Sequence, residues 1–229
     1  MLKPMPLILE KNNFIWLTIA LVGMIMTGQF SVDAPARFSL QLIEFSSVAL
    51  LILSLLSLTS NSRWSRNFMI IISLLIVNLV VRGITNIELT GYFYLGLMLV
   101  FFVTAAWLVA GKVLMTGTVD MNTIVGAIAL YLLLGLIWSF LDTITLEVSP
   151  NALHGIEAGP WYENLPRTTY FSFVTLTTLG YGDISPASPL AEVLVIFEAV
   201  AGMFYLAVIV ASLVGSMRDN QAPTDTPTD

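Results

Sequence analysis

Six long apolar segments leave this chain few ways to fold. They fall at about residues 14–30, 40–58, 67–81, 91–115, 122–141 and 190–215. Each approaches the roughly 20 apolar residues that a helix needs to cross a bilayer, although the third is short and could extend toward Ile84. Hydrocarbon offers no hydrogen bonds, so each crossing segment has to satisfy its own backbone, as a helix does. Of the 229 residues, 57% are hydrophobic and 10% charged, whereas a soluble domain has roughly a quarter charged. The prediction is an all-α integral membrane protein with six transmembrane helices.

Several function classes fall away on composition. There are no cysteines, which removes disulfides and thiolate metal sites. The single histidine, His154, stands in a polar stretch, and no His–carboxylate or intramembrane Ser/His constellation suggests an enzyme or a cofactor. The net charge of −6 argues against nucleic acid, which requires a basic footprint. No internal repeat is visible. Residues 217–229 read as a short disordered tail, with no length left for a soluble ligand-binding domain. Ala34-Pro35-Ala36 imitates a signal-peptide cleavage site, but Pro35 is unfavourable beside a cut.

Lys and Arg in the loops set the orientation. With a cytoplasmic N-terminus, Lys3, Lys11, Arg63, Arg66, Lys112 and Arg218 fall inside and Arg37, Arg82 and Arg167 outside. Both termini are therefore expected in the cytoplasm, in a plasma or bacterial inner membrane.

Between the last two segments lies Thr177-Thr178-Leu179-Gly180-Tyr181-Gly182-Asp183. Gly180 and Gly182 can take positive φ at little cost, which a backbone alternating in hand requires in order to aim successive carbonyls one way. The preceding stretch, 166–178, is too short to span and reads as a re-entrant helix, with Pro166 in its first turn. A polar turn is the plain alternative for the Gly-Tyr-Gly-Asp core.

The seven-residue string closely resembles the selectivity filter of tetrameric potassium channels, and the resemblance to their two-helix pore module extends over about 122–215. It implies a pore domain at 117–216, with outer helix 122–141, pore helix 166–178, filter 178–183 and inner helix 190–215, behind a four-helix domain at 1–116. The implied function is passive, potassium-selective conduction by a homotetramer. K+ is the permeant ion, and the partners are three identical subunits and membrane lipid, with no further cofactor. By the resemblance, K+ meets the carbonyls of Thr178, Leu179, Gly180 and Tyr181, with Gly182 completing the filter and the Thr178 hydroxyl closing the innermost site. Thr177, Tyr170, Phe171 and Asp183 support the filter, Asp183 by bonding to the aromatic cuff. Some members of the family carry a Glu where this chain has Val174, so an inactivation mechanism based on a carboxyl pair is not implied.

Gating candidates lie in the last segment. Gly202 falls at the family's hinge glycine, where close packing is the competing role. Leu206, Val210 and Val214 form a bulky stripe that either constricts the cavity or faces lipid. Glu198, one turn before Gly202, is expected to be protonated or bonded to the pore-helix backbone. In the fifth segment Tyr131, Gly135 and Trp138 match an outer-helix pattern, with Asp120 as its N-cap.

Ionisable groups inside a span call for a functional hypothesis. Glu44 and Arg82 are expected to pair, with Arg37 nearby; the alternative is that Arg82 snorkels outward. The fourth segment holds only Lys112, not an arginine series, so weak or absent voltage dependence is expected. Asp142, Glu147, Glu157 and Glu163 against Arg167 and His154 predict a negative outer vestibule. The competing functions are a non-selective cation channel and a non-conducting channel-like subunit.

Overall fold

The structure is a computed structural model, and it describes residues 14–32, 35–58, 62–85, 89–114, 120–157 and 159–219. The side chains of Arg37, Val210 and Val214 lie outside the described part, as do residues 220–229 of the expected tail.

Seven helices and one two-residue strand pair make up the described fold: α1 (Phe14–Phe30), α2 (Ala36–Leu58), α3 (Ser62–Thr85), α4 (Leu89–Leu114), α5 (Met121–Val148), β1 (Leu153–His154), α6 (Trp161–Leu176), β2 (Ser185–Pro186) and α7 (Pro189–Asp219). Among the described residues, four helical spans are long and apolar enough to cross a membrane: Arg66–Thr85, Leu89–Val113, Met121–Val148 and Pro189–Ile209. Phe14–Phe30 and Phe38–Ser54 are shorter apolar helices.

Helix α5 is the hub, packed against α1, α4, α6 and α7. Its N-terminus is fixed by Asp120, whose carboxylate accepts from the Thr123 backbone N–H at 2.7 Å and from its hydroxyl at 2.6 Å. Helix α1 joins it where the Phe14 backbone N–H donates to Asn122 Oδ1 at 3.0 Å. A run of ring contacts (Phe68 with Phe101, Phe101 with Phe102, Phe102 with Phe140) carries the core from α3 through α4 to α5. Such pairs add to what area burial alone supplies.

Three boundaries differ from the expectation. Helix α5 runs to Val148 rather than 141, so Asp142 is a buried helical residue, 1% exposed, and not part of the vestibule. The polar run after Leu141 stays helical because its hydroxyls are satisfied locally: Thr143 donates to the Ser139 carbonyl and Thr145 to that of Leu141. Helix α6 begins at Trp161 with Pro160 as its N-cap, so Pro166 stands inside the helix rather than in its first turn. Buried Trp161 and Leu165 give that earlier stretch a packing reason to be helical. Residues 217–219 continue α7 instead of starting a tail.

Candidate functional site

Residues 177–183 connect α6 to the β2 segment, and their backbone alternates. Thr178 has φ 58°, Gly180 55° and Gly182 79°, while Leu179 and Tyr181 between them stay at negative φ. Left-handed backbone at Thr178 is uncommon for a residue with a Cβ. The loop is tied back to α6 through its donors. Thr178 N–H reaches the Thr175 carbonyl at 2.8 Å, and the N–H groups of Leu179 and Gly180 share the Val174 carbonyl at 3.0 and 3.3 Å. Val174 thus meets the loop through its backbone. The Thr177 hydroxyl donates to the Phe173 carbonyl at 2.7 Å. Among the described residues, no backbone N–H donates to the carbonyls of 178–182, so those oxygens are free for another partner. Leu179 and Tyr181 are exposed in the single chain.

The C-terminal end of the loop is clamped from two sides. The Tyr170 hydroxyl donates to Asp183 Oδ2 at 2.9 Å. That bond, ahead of any burial, pushes the Tyr170 pKa above the ordinary tyrosine value. From the other side comes β1, antiparallel to β2 with Leu153 opposite Pro186 and His154 opposite Ser185. Gly155 follows at φ 84°, and a Cβ there would stand 2.1 Å from the Asp183 carbonyl oxygen. Only glycine gives both that backbone and that approach, a role the sequence did not reveal. Phe171 is buried in the small core formed with Leu146, Leu153, Ile156 and Ile184.

Helix α6, which leads into the loop, rests on α7, where Glu198 and Gly202 meet Ser172 and Leu176. Each pair is one turn apart on its own helix. A Cβ at Gly202 would lie 2.1 Å from the Leu176 carbonyl oxygen, so this glycine is a point of helix–helix contact. Glu198 is fully buried. Its Oε1 lies 2.5 Å from Ser172 Oγ, a side-chain contact in place of the backbone bond that is one of two expectations for it, the other being a protonated acid. Ser172 Oγ is also 2.7 Å from the Gly135 carbonyl oxygen. A ring packs the same level of α5: a Cβ on Gly135 would be 2.5 Å from Phe173. Lower down, Tyr131 lies beside Tyr205, whose hydroxyl donates to the Ala127 carbonyl. Leu206 is exposed in the single chain.

The preceding helices reach the first turn of α6. Arg82 and Glu44 form an ion pair at 3.2 Å with both side chains mostly shielded. The Arg82 guanidinium also lies 5.1 Å from the Trp161 ring centroid, close enough for a cation–π contact. Trp161 stacks on Tyr94 at 4.7 Å. Gln29 of α1 donates to the Pro166 carbonyl at 2.8 Å. These contacts place residues of α1, α3 and α4 directly on the helix that precedes the loop.

Among the described residues, no group of three His, Cys, Asp or Glu side chains could hold a metal ion. Residues 121–219, the stretch from α5 through α7, match the family model described as ion channel. Over 64 residues, 28% of this chain, the sequence is 36% identical to two pore potassium channel c of Oryza sativa subsp. japonica, and the match spans 14% of that protein's length. No solved structure matches. The alternating loop and the helices that clamp it therefore lie in the stretch of this helical membrane protein that is similar to the ion channel family.

Proposed function

We propose that the chain is the subunit of a potassium-selective channel that conducts K+ passively. The observation that carries this reading is the alternation of hand at Thr178, Gly180 and Gly182 within Thr-Thr-Leu-Gly-Tyr-Gly-Asp. It turns the donors of the loop back to α6 and leaves a file of carbonyl oxygens to replace the hydration shell of an ion. Thr178, Leu179, Gly180 and Tyr181 supply those oxygens, Gly182 lets the backbone leave the file, and the Thr178 hydroxyl closes the inner end. The C-terminal end of α6 adds about half a negative charge toward a cation.

One loop per chain cannot enclose an ion, so four copies assemble around the axis. The exposed Leu179 and Tyr181, and the exposed apolar face of α7 at Ile196, Phe197, Val200 and Phe204, are the surfaces that assembly would cover. In this reading all six apolar helices span, both termini are cytoplasmic, and the relative's printed name supports potassium as the ion. The test is flux from liposomes that contain the purified chain. Potassium should escape and sodium should not, and Gly180→Ala should abolish the difference or the flux. Equal escape of both ions from the wild type would favour a non-selective pore.

A further inference from the structure

Ser172 has one hydroxyl hydrogen, yet its oxygen stands at hydrogen-bond distance from two others, the Gly135 carbonyl at 2.7 Å and Glu198 Oε1 at 2.5 Å. A carbonyl oxygen only accepts, and so does an ionised carboxylate. One hydrogen cannot serve both. The set closes when Glu198 is a carboxylic acid: Glu198 donates to Ser172 Oγ, and Ser172 donates onward to Gly135. The short separation lies at the near end of the O–H···O range.

Burial points the same way. Glu198 is 0% exposed and its Oε2 has no hydrogen-bond partner among the described residues. An ionised carboxylate left there carries a heavy desolvation penalty, and the unpaired oxygen of a neutral acid a much smaller one. The titratable groups acting on Glu198 are no help to a negative charge. Helix α5 contributes Asp142, itself buried with an unpartnered Oδ2, and Tyr131. Helix α6 presents Ser172, and α7 itself places Tyr205 against Tyr131. None of these is a cation.

We propose that Glu198 is a proton-binding site that latches α7 to α6, and that conduction depends on its being occupied. The functional half rests on the channel reading above. When the proton passes to water, Ser172 can satisfy only one of its two acceptors, and a buried anion is left facing Asp142. Glu198 gains solvation by swinging away from α6, which draws α7 with it. One turn below, Gly202 loses its seat on the carbonyl of Leu176, the residue that ends α6 next to Thr177. The base of the filter then loses its support.

The test uses the full chain in liposomes. Potassium flux of the wild type, followed from about pH 7 to about pH 10, should fall severalfold as the proton is lost. Glu198→Gln, whose amide can donate to Ser172 as the acid does, should keep its flux across that range. In parallel, infrared spectra at neutral pH should show a protonated-carboxyl component that is present in the wild type and in Asp142→Asn, where the other buried carboxyl is gone, and absent from Glu198→Gln. The same pH profile in wild type and Glu198→Gln would overturn the latch. Should Glu198→Gln not fold, Asp142→Asn decides, because it removes the other buried carboxyl: a protonated-carboxyl band lost in step with flux in that variant supports the site, and a neutral-pH spectrum of that variant without one overturns it. The infrared arm reads the proton whether or not the protein conducts, so a failed channel reading and a failed proton site give different results.

Discussion

Gly202→Ala separates two roles for the same glycine by the sign of its effect. An added Cβ would stand 2.1 Å from the Leu176 carbonyl oxygen, 2.9 Å from its carbon and 3.2 Å from its Cα. Carbon and oxygen approach to about 3.3 Å at the closest, so α6 and α7 would have to part by about 1 Å. All three atoms belong to helix backbone, which cannot rotate aside as a side chain can. Overpacking of this kind costs about 1–3 kcal/mol, offset by up to about 1 kcal/mol that alanine gains over glycine inside a helix. The net expectation is a loss of about 1–2 kcal/mol, roughly a tenfold change in the folding equilibrium. Gly96→Ala is the control, because nothing lies within 4 Å of its Cβ position and only the helical gain should remain. Unfolding titrations in mixed micelles would measure both variants. If Gly202 serves only as a hinge, alanine stiffens α7 and raises stability. A Gly202→Ala protein as stable as Gly96→Ala would refute the packing argument.

Arg82→Gln should cost about 1–2 kcal/mol, because it strips Glu44 of its counter-charge at a half-buried site. The exchange Glu44→Arg with Arg82→Glu should recover part of that loss, and an unchanged melting temperature in the single variant would remove the pair from the account. Asp120→Ala should cost about 1 kcal/mol through loss of the N-cap of α5. Bonds from the Thr123 hydroxyl and then its N–H hold the Asp120 carboxyl below the usual carboxylate range. Its contribution is therefore present above that range and lost as pH falls through the lowered value, so the thermal gap between wild type and Asp120→Ala should close in acid. Conductance should vary little with voltage, because Lys112 is the only Lys or Arg in the 26 residues of α4; a steep conductance–voltage curve would contradict this.

The helices were legible because apolar runs of membrane length admit almost no other structure. Their ends were harder to read where polar residues continue a helix by bonding within it. Thr143 and Thr145 keep Asp142 inside α5, and hydropathy alone places it in a loop. Pro166 misled for a related reason: proline often opens a helix, but here buried Trp161 and Leu165 extend α6 ahead of it. Gly180 and Gly182 announced their conformation, while Thr178 did not, because threonine seldom adopts positive φ. Glu44 and Arg82 were legible as a pair because an uncompensated charge in a span is expensive. That Arg82 also lies over Trp161 depends on how α3 and α4 pack against α6, which no spacing encodes. Gly155, far in sequence from the 177–183 loop, is found only by seeing what would occupy its Cβ position.

The most direct test of the central claim is the reversal potential of the purified protein in a planar bilayer, with potassium on one side and sodium on the other. The proposed carbonyl file at 178–181 predicts reversal near the potassium equilibrium potential. Reversal near zero would show that the loop does not distinguish the two ions and would contradict the account.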